Sequence, residues 1–442
     1  MNVDMLTGVA TEMLRNGRLE EAEKLSRLAI TMAPASAEAL HVLGLLQRKD
    51  GRMAAAVATL RRARRLNPLD GTIWFNLANV LGQSGDAAAM ARVLRDMAQV
   101  DPASPDLWRW LAVSAPYAGL RISAPAALRR CLAMDPARHD VRQMLLEKLA
   151  AEIRADPALT DDAPTKRADQ PGQGRISLVI CSIDPDKFAK ASANFAALLD
   201  GSDYELIGVH DARSLCEGYN RGLRRATGDI VIFCHDDIEI LIPDFETRLR
   251  DRLRRFDMIG VAGTTLMAGA TWMHAGWPRQ HGQVNHVVAD QGCYRCDVYG
   301  MEAAVIAPAQ ALDGLFIAAR REAATAVGFD EAAFDGFHLY DMDFSFSAWR
   351  AGYRLAVCTD FCVIHASMGR MDEKWRAYAA RFLAKHADAL PQLPFGPNPL
   401  RAARLDTRAQ IRAFVAALLT LERGGAALLP GEGPSARQAA AT

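Results

Sequence analysis

The sequence predicts a multidomain chain: an all-α repeat solenoid followed by an α/β domain on a mostly parallel sheet. Three observations predict it. Gly17, Gly51, Gly85 and Gly119 recur every 34 residues, and so do Pro34, Pro68, Pro102 and Pro136. Beyond Arg175, helical periodicity gives way to short apolar runs alternating with helical segments, the pattern of strands joined by crossover helices. Within that half, the stretch DIVIFCHDDIEI (229–240) passes abruptly from the apolar run Ile230–Cys234 to His235-Asp236-Asp237. A buried strand looks like this when it delivers polar side chains to its carboxyl end, the edge at which open α/β sheets bind ligands.

Length and composition support two or three domains. The 442 residues exceed what one core organises, and half of them are apolar. Lys+Arg and Asp+Glu both number 52, so no global field points to nucleic acid or an anionic membrane surface. The amino terminus, MNVDMLTGVA, has neither the basic nor the apolar region of a secretory signal, and no apolar run is long enough to span a bilayer. The reading is a cytoplasmic protein with no transmembrane segment, whose eight cysteines are reduced and buried. A zinc site formed by Cys293-x-x-Cys296 with Cys358 and Cys362 is a weak alternative, since only one short cysteine pair is present.

Between the glycine and proline markers the apolar positions also repeat. Leu6, Leu40, Trp74 and Trp108 form one column, Val9, Leu43, Leu77 and Leu111 a second, and the small residues Ala10, Gly44, Ala78 and Ala112 a third. The glycine permits the turn and the proline stops the second helix. This unit resembles the tetratricopeptide repeat. Four units over residues 3–138 and a capping helix at 139–153 give a solenoid domain of residues 1–155. The resemblance implies a groove that takes a protein or peptide; a spacer or a homo-oligomer surface is the alternative. Pro116 and Pro125 are expected to interrupt the helices of the fourth unit. Residues 156–174, rich in Pro, Asp, Gln and Gly, read as a linker.

The second domain, 175–395, begins with strands at 176–181 and 205–210, helices at 188–199 and 216–226, the strand that opens 229–240, a helix at 245–256 and a strand at 258–262. Between 264 and 300 lies a glycine-rich stretch carrying Trp272, His274, Trp277, His281 and His286, the composition of a functional loop. Trp272 and Trp277 are candidates for stacking on an acceptor sugar. Residues 396–442 read as one helix near 408–421 and a disordered tail.

The segments ARSLCEGYNRGLRRATGDIVIFCHDDIEI and DGLFIAARREAATAVGFDEAAFDGFHLYDMDFSFSAWRAGYRLAVCTDFCVIH resemble the two halves of family-2-type glycosyltransferases. They are similar in particular to the bacterial glycosyltransferase-like branch with a YN pair and His-x-Asp in place of Asp-x-Asp. The resemblance implies a GT-A fold, an inverting reaction and a nucleotide-sugar donor, with a UDP-sugar expected. It makes Asp237 a metal ligand, puts His235 where the first acidic ligand would stand, and offers His365 as a third ligand. Imidazole suits Mn²⁺ better than Mg²⁺. Asp341 takes the place of the catalytic base, with Asp343 the second choice. Ser182, Asp211, Asn220 and Asp236 are the candidate nucleotide contacts; all four positions also suit caps and turns. The rival function is a repeat scaffold whose transferase domain binds nucleotide without turnover, motivated by the missing first carboxylate. A sugar nucleotidyltransferase would need a glycine-rich loop after the first strand, and CSIDPDKF supplies none.

Overall fold

The 34-residue period becomes helices paired by short turns: α1 (Val3–Arg15), α2 (Leu19–Met32), α3 (Ala37–Lys49), α4 (Met53–Leu66), α5 (Gly71–Gln83), α6 (Ala87–Val100), α7 (Pro105–Ala118) and α8 (Ala124–Met134), then α9 (His139–Arg154). The computed structural model describes residues 2–100, 105–118, 123–301, 303–367, 369, 371–397 and 401–423. It divides into two units, Met1–Lys148 and Leu149–Thr442. Gly17, Gly51 and Gly85 sit at φ +78°, +74° and +78°, where a side chain is strained; Gly119, Pro102 and the tail read as disordered lie outside the described residues.

The repeat columns are the core of the first unit. Leu6, Leu40, Trp74 and Trp108 are buried, as are Leu43, Leu77 and Leu111, whereas Val9 in the outermost repeat is exposed. The small column works by close approach. A Cβ on Gly44 would lie 2.6 Å from Leu60 Cγ, so α3 and α4 approach too closely here for a side chain to fit unless Leu60 shifts. In the fourth repeat the prolines do not break the helices as expected. Pro125 falls in the first turn of α8 behind the Ser123 cap, where a missing N–H costs nothing, and α7 continues two residues past Pro116.

The second unit contains β1 (Ile176–Cys181), α10 (Pro185–Leu198), β2 (Tyr204–Val209), α11 (Leu215–Arg225), β3 (Ile230–Cys234), β4 (Ile238–Ile240), α12 (Phe245–Arg255), β5 (Met258–Gly260), β6 (Ala262–Thr264), β7 (Gln280–Val288), β8 (Cys293–Gly300), β9 (Val305–Ala309), β10 (Ala311–Leu312), β11 (Phe316–Arg320), α13 (Arg321–Val327), α14 (Tyr340–Arg350), β12 (Leu355–Cys358), β13 (Val363–His365), α15 (Glu373–Lys385), β14 (Ala402–Leu405) and α16 (Arg408–Arg423). One sheet has the order β2-β1-β3-β11-β5-β12-β9, and a second runs β10-β6-β7-β13-β4 with β8 and β14 continuing from β7.

Two features depart from the sequence reading. The first sheet is mixed: β1, β2 and β3 are parallel, but β11 enters antiparallel between β3 and β5. A strand buried on both faces has the same composition in either direction, so periodicity carries no polarity. The expected 264–300 loop is irregular only to about Arg279, after which β7 and β8 pair antiparallel. Cys293 and Cys296 lie three positions apart on β8, and a strand turns residues at that spacing to opposite faces, which separates the two thiols of the zinc alternative.

Residues 156–174 are bound to the second unit rather than spanning free space. Arg167 Nη2 donates to buried Glu246 (2.5 Å), which also accepts from Gly172 N (3.1 Å), Arg250 Nε (2.7 Å) and Ser202. Thr165 Oγ1 donates to Leu241 O at 3.2 Å.

Candidate active site

The carboxyl end of β3 carries His235 into the open edge of the sheet, where its backbone N donates to Leu315 O at 3.1 Å. Asp237 follows two residues later, just before β4. Strand β13 pairs antiparallel with β4 so that His365 stands opposite Ile238, which brings a residue 128 positions away beside Asp237. His365 Nε2 lies 3.2 Å from Asp237 Oδ1 and 3.2 Å from His235 Nδ1, and His235 Nδ1 lies 4.0 Å from Asp237 Oδ1. These three donor atoms are within 4.8 Å of one another, the one such cluster of His, Cys, Asp and Glu among the described residues. Two imidazole nitrogens and a carboxylate make a donor set that fits a divalent transition ion.

Electrostatics in the cluster follow from enclosure. Burial pushes the His235 imidazole below its ordinary value, and a charge on His365 would push it further. Burial works against the Asp237 carboxylate, but its bond to His365, the imidazole's charge and Ser367 together hold it well below the usual range, so it stays anionic. Lys187 Nζ is 3.9 Å from it.

On the other side of His235, its Nε2 is 2.8 Å from the Tyr340 hydroxyl, which also lies 3.2 Å from Gly314 O. Tyr340 opens α14. The residue before it, Leu339, is buried at φ +62°, a conformation that a branched side chain adopts at a cost of about 1 kcal/mol or more. That strained entry directs Tyr340 and Asp341 at the Asp313–Leu315 turn. Asp341 Oδ2 accepts from Gly314 N at 2.8 Å, and a Cβ at Gly314 would come within 2.6 Å of Asp341 Cβ and strike the Tyr340 hydroxyl. Burial and the neighbouring Asp313 raise the Asp341 carboxyl to about 7. Asp313 is itself fixed by Trp272 Nε1 (2.8 Å) and Leu315 N (3.0 Å).

The other candidates are placed less uniformly. Ser182 Oγ, at the end of β1, donates to Asp236 Oδ2 at 2.6 Å, so these two meet beside the cluster. Asp211 is exposed and paired with Arg221 at 2.8 Å. Asn220 is committed elsewhere: its Nδ2 donates to Phe329 O and Glu331 Oε1, both at 2.7 Å, and its Oδ1 accepts from Phe329 N, so the amide clamps a turn instead of facing the β3 edge. Asp343 is buried between Lys385 Nζ and His386 Nε2, each at 2.8 Å. Trp272, expected to stack on a sugar, is enclosed, edge-on to Tyr299 at 4.8 Å, with its indole N–H spent on Asp313. Trp277 is half-buried and its backbone N donates to Pro397 O at 2.9 Å. Asp313 and Tyr340 were not singled out from sequence. Tyr340 adjoins Asp341 in the YDMD run, but neither residue carries a spacing that signals its partner.

Residues 177–386 match the family described as "Glycosyltransferase like family", and residues 37–68 match the tetratricopeptide repeat. No curated protein matches the chain. Among solved structures it is similar to a thermophilic tetratricopeptide protein of Thermus thermophilus (18% identity over 33% of this chain and 80% of that one, TM-score 0.30). It is similar also to MamA of Desulfovibrio magneticus (17%, 34% and 85%, 0.28) and to an O-GlcNAc transferase mutant of Thermobaculum terrenum (26%, 47% and 36%, 0.24).

Proposed function

Since the chain joins tetratricopeptide repeats to a glycosyltransferase-like domain, we propose that it transfers a sugar from a nucleoside-diphosphate sugar, a UDP-sugar in the first instance, to an acceptor hydroxyl with inversion. The repeats recruit the acceptor or a partner protein. The observation that carries this reading is the convergence of His235 Nδ1, His365 Nε2 and Asp237 Oδ1 at the β3 edge, joined through Tyr340 to the helix that presents Asp341.

His235, Asp237 and His365 would hold a divalent cation, Mn²⁺ in preference to Mg²⁺, which supplies charge neutralisation for the departing diphosphate. Ser182 and Asp236 stand beside that position and orient the nucleotide. Asp341 is the base. The acceptor oxygen bonds to the anomeric carbon, its proton passes to the Asp341 carboxylate, and the nucleoside diphosphate leaves with the electron pair of the broken bond. A carboxyl near 7 supports this role, because a general base works best when its pKa lies near the working pH. Asp313 and Trp272 position that carboxyl; Asp343 braces α14 through Lys385 and His386.

A panel of nucleotide sugars with Mn²⁺ tests the proposal by release of nucleoside diphosphate. Release should stop on chelation, and in Asp341→Asn should stop while UDP binding survives. Nucleotide binding without turnover over the whole panel would replace the enzyme with the scaffold reading.

A further inference from the structure

We infer that Tyr340 presets the tautomer of His235, holding the ring proton on Nε2 so that the Nδ1 lone pair points into the cluster. This rests on the cation-platform reading above and concerns His235, the imidazole that stands in the place of the first carboxylate of Asp-x-Asp.

The Tyr340 hydroxyl touches two polar atoms, Gly314 O at 3.2 Å and His235 Nε2 at 2.8 Å. A hydroxyl has one proton, and a carbonyl oxygen can only accept. For both contacts to be hydrogen bonds, the hydroxyl donates to Gly314 O and Nε2–H of His235 donates to the hydroxyl. Gly314 and Tyr340 are both buried, so a carbonyl left without its donor would cost about 1–3 kcal/mol. The reverse arrangement, in which the hydroxyl donates to Nε2, makes that loss, and it would place the proton on Nδ1, toward the cluster.

With Nε2 protonated, Nδ1 is an acceptor and faces His365 Nε2 at 3.2 Å and Asp237 Oδ1 at 4.0 Å. A ring nitrogen binds a cation only through its lone pair, and the group bonded to the other nitrogen decides which one has it. Tyr340 is therefore a positioning residue. It makes a neutral imidazole a competent ligand, and because the same side chain precedes Asp341, the ligand and the base are set by consecutive residues of α14. In this tautomer His235 Nδ1 can accept from His365 Nε2 at 3.2 Å, or His365 can donate to Asp237 Oδ1 instead.

The test is ¹⁵N NMR of the full chain labelled at its ten histidines, without added metal, the His235 signals being assigned by their loss in His235→Gln. The expected result is a proton on Nε2 and none on Nδ1. In Tyr340→Phe that preference should disappear and Mn²⁺ affinity, read by calorimetry, should fall about tenfold or more. A wild-type His235 carrying its proton on Nδ1 overturns the inference, as does a Tyr340→Phe variant with unchanged tautomer and unchanged Mn²⁺ affinity. The metal-free spectrum does not depend on turnover: an inactive chain with the predicted tautomer would count against the transferase reading and leave this one standing.

Discussion

Replacing Asp341 by Asn should make the second unit more stable at alkaline pH while removing transfer, and the size of the gain follows from the site. The Asp341 carboxyl is raised from 3.8 to about 7 by burial and by Asp313. Each pH unit of that difference is worth about 1.4 kcal/mol, so ionising Asp341 in place costs up to ~4 kcal/mol. The sign follows from linkage. Below the unfolded value, near 4, both states hold the proton and there is no penalty. Between about 4 and about 7 the folded state keeps a proton that the unfolded state has lost, so stability falls as pH rises; above about 7 the penalty is complete. Asn keeps an oxygen for Gly314 N and carries no charge. Some of the cost is relieved by solvent at this half-buried position, so the expected gain is roughly 1–3 kcal/mol at pH 8 and close to zero at pH 4. Urea unfolding followed by labelling of buried thiols separates the units, since Cys234, Cys296, Cys358 and Cys362 report on the second and Cys131 on the first. A gain that is absent, independent of pH, or equally present at Cys131 would refute the reasoning.

Three further outcomes follow from the packing and the base assignment. Gly44→Ala forces a methyl against Leu60 and should destabilise the repeat unit by about 1–3 kcal/mol, whereas Gly8→Ala, with nothing within 4 Å of the added carbon, should stabilise it by about 0.5–1 kcal/mol; earlier or later labelling of Cys131 in urea reads both. Glu246→Gln removes the buried carboxylate that Arg167 and Arg250 share, leaving Arg167 with Asp169 (2.9 Å) alone; it should cost up to about 3 kcal/mol and expose 156–174 to limited proteolysis at a protease level that leaves the wild type intact. With Asp341 as the base, kcat/KM should rise with pH through about 7; a profile flat from pH 5 to 9 would remove it from that role.

What could be read from the sequence was whatever physics makes periodic or abrupt. The repeat glycines were legible because a tight turn at positive φ admits little else, and the β3 edge because an apolar run ending in His235 cannot continue into a core. The β7–β8 hairpin was not legible. Its buried side chains include Gln280, Gln283 and Asn285, satisfied by bonds such as Gln283 Nε2 to Phe361 O (3.0 Å) and Asn285 Nδ2 to Val363 O (2.9 Å), so the strand lacks apolar alternation. The attachment of 156–174 was hidden for a similar reason: polar composition suggests a linker unless the buried Glu246, 79 residues from Arg167, is known to be its partner. Within the site, His365 and Asp341 came from resemblance, while Tyr340 and Asp313 depended on contacts across 105 and 28 residues that no local pattern encodes.

The central claim is that the β3 edge is a cation platform built from two imidazoles and one carboxylate. Pulsed EPR of the chain loaded with Mn²⁺ tests it most directly. The account predicts nitrogen couplings from two histidines, one lost in His235→Ala and the other in His365→Ala, with binding itself lost in Asp237→Ala. Mn²⁺ bound without nitrogen coupling, or with unchanged affinity in all three variants, would contradict it.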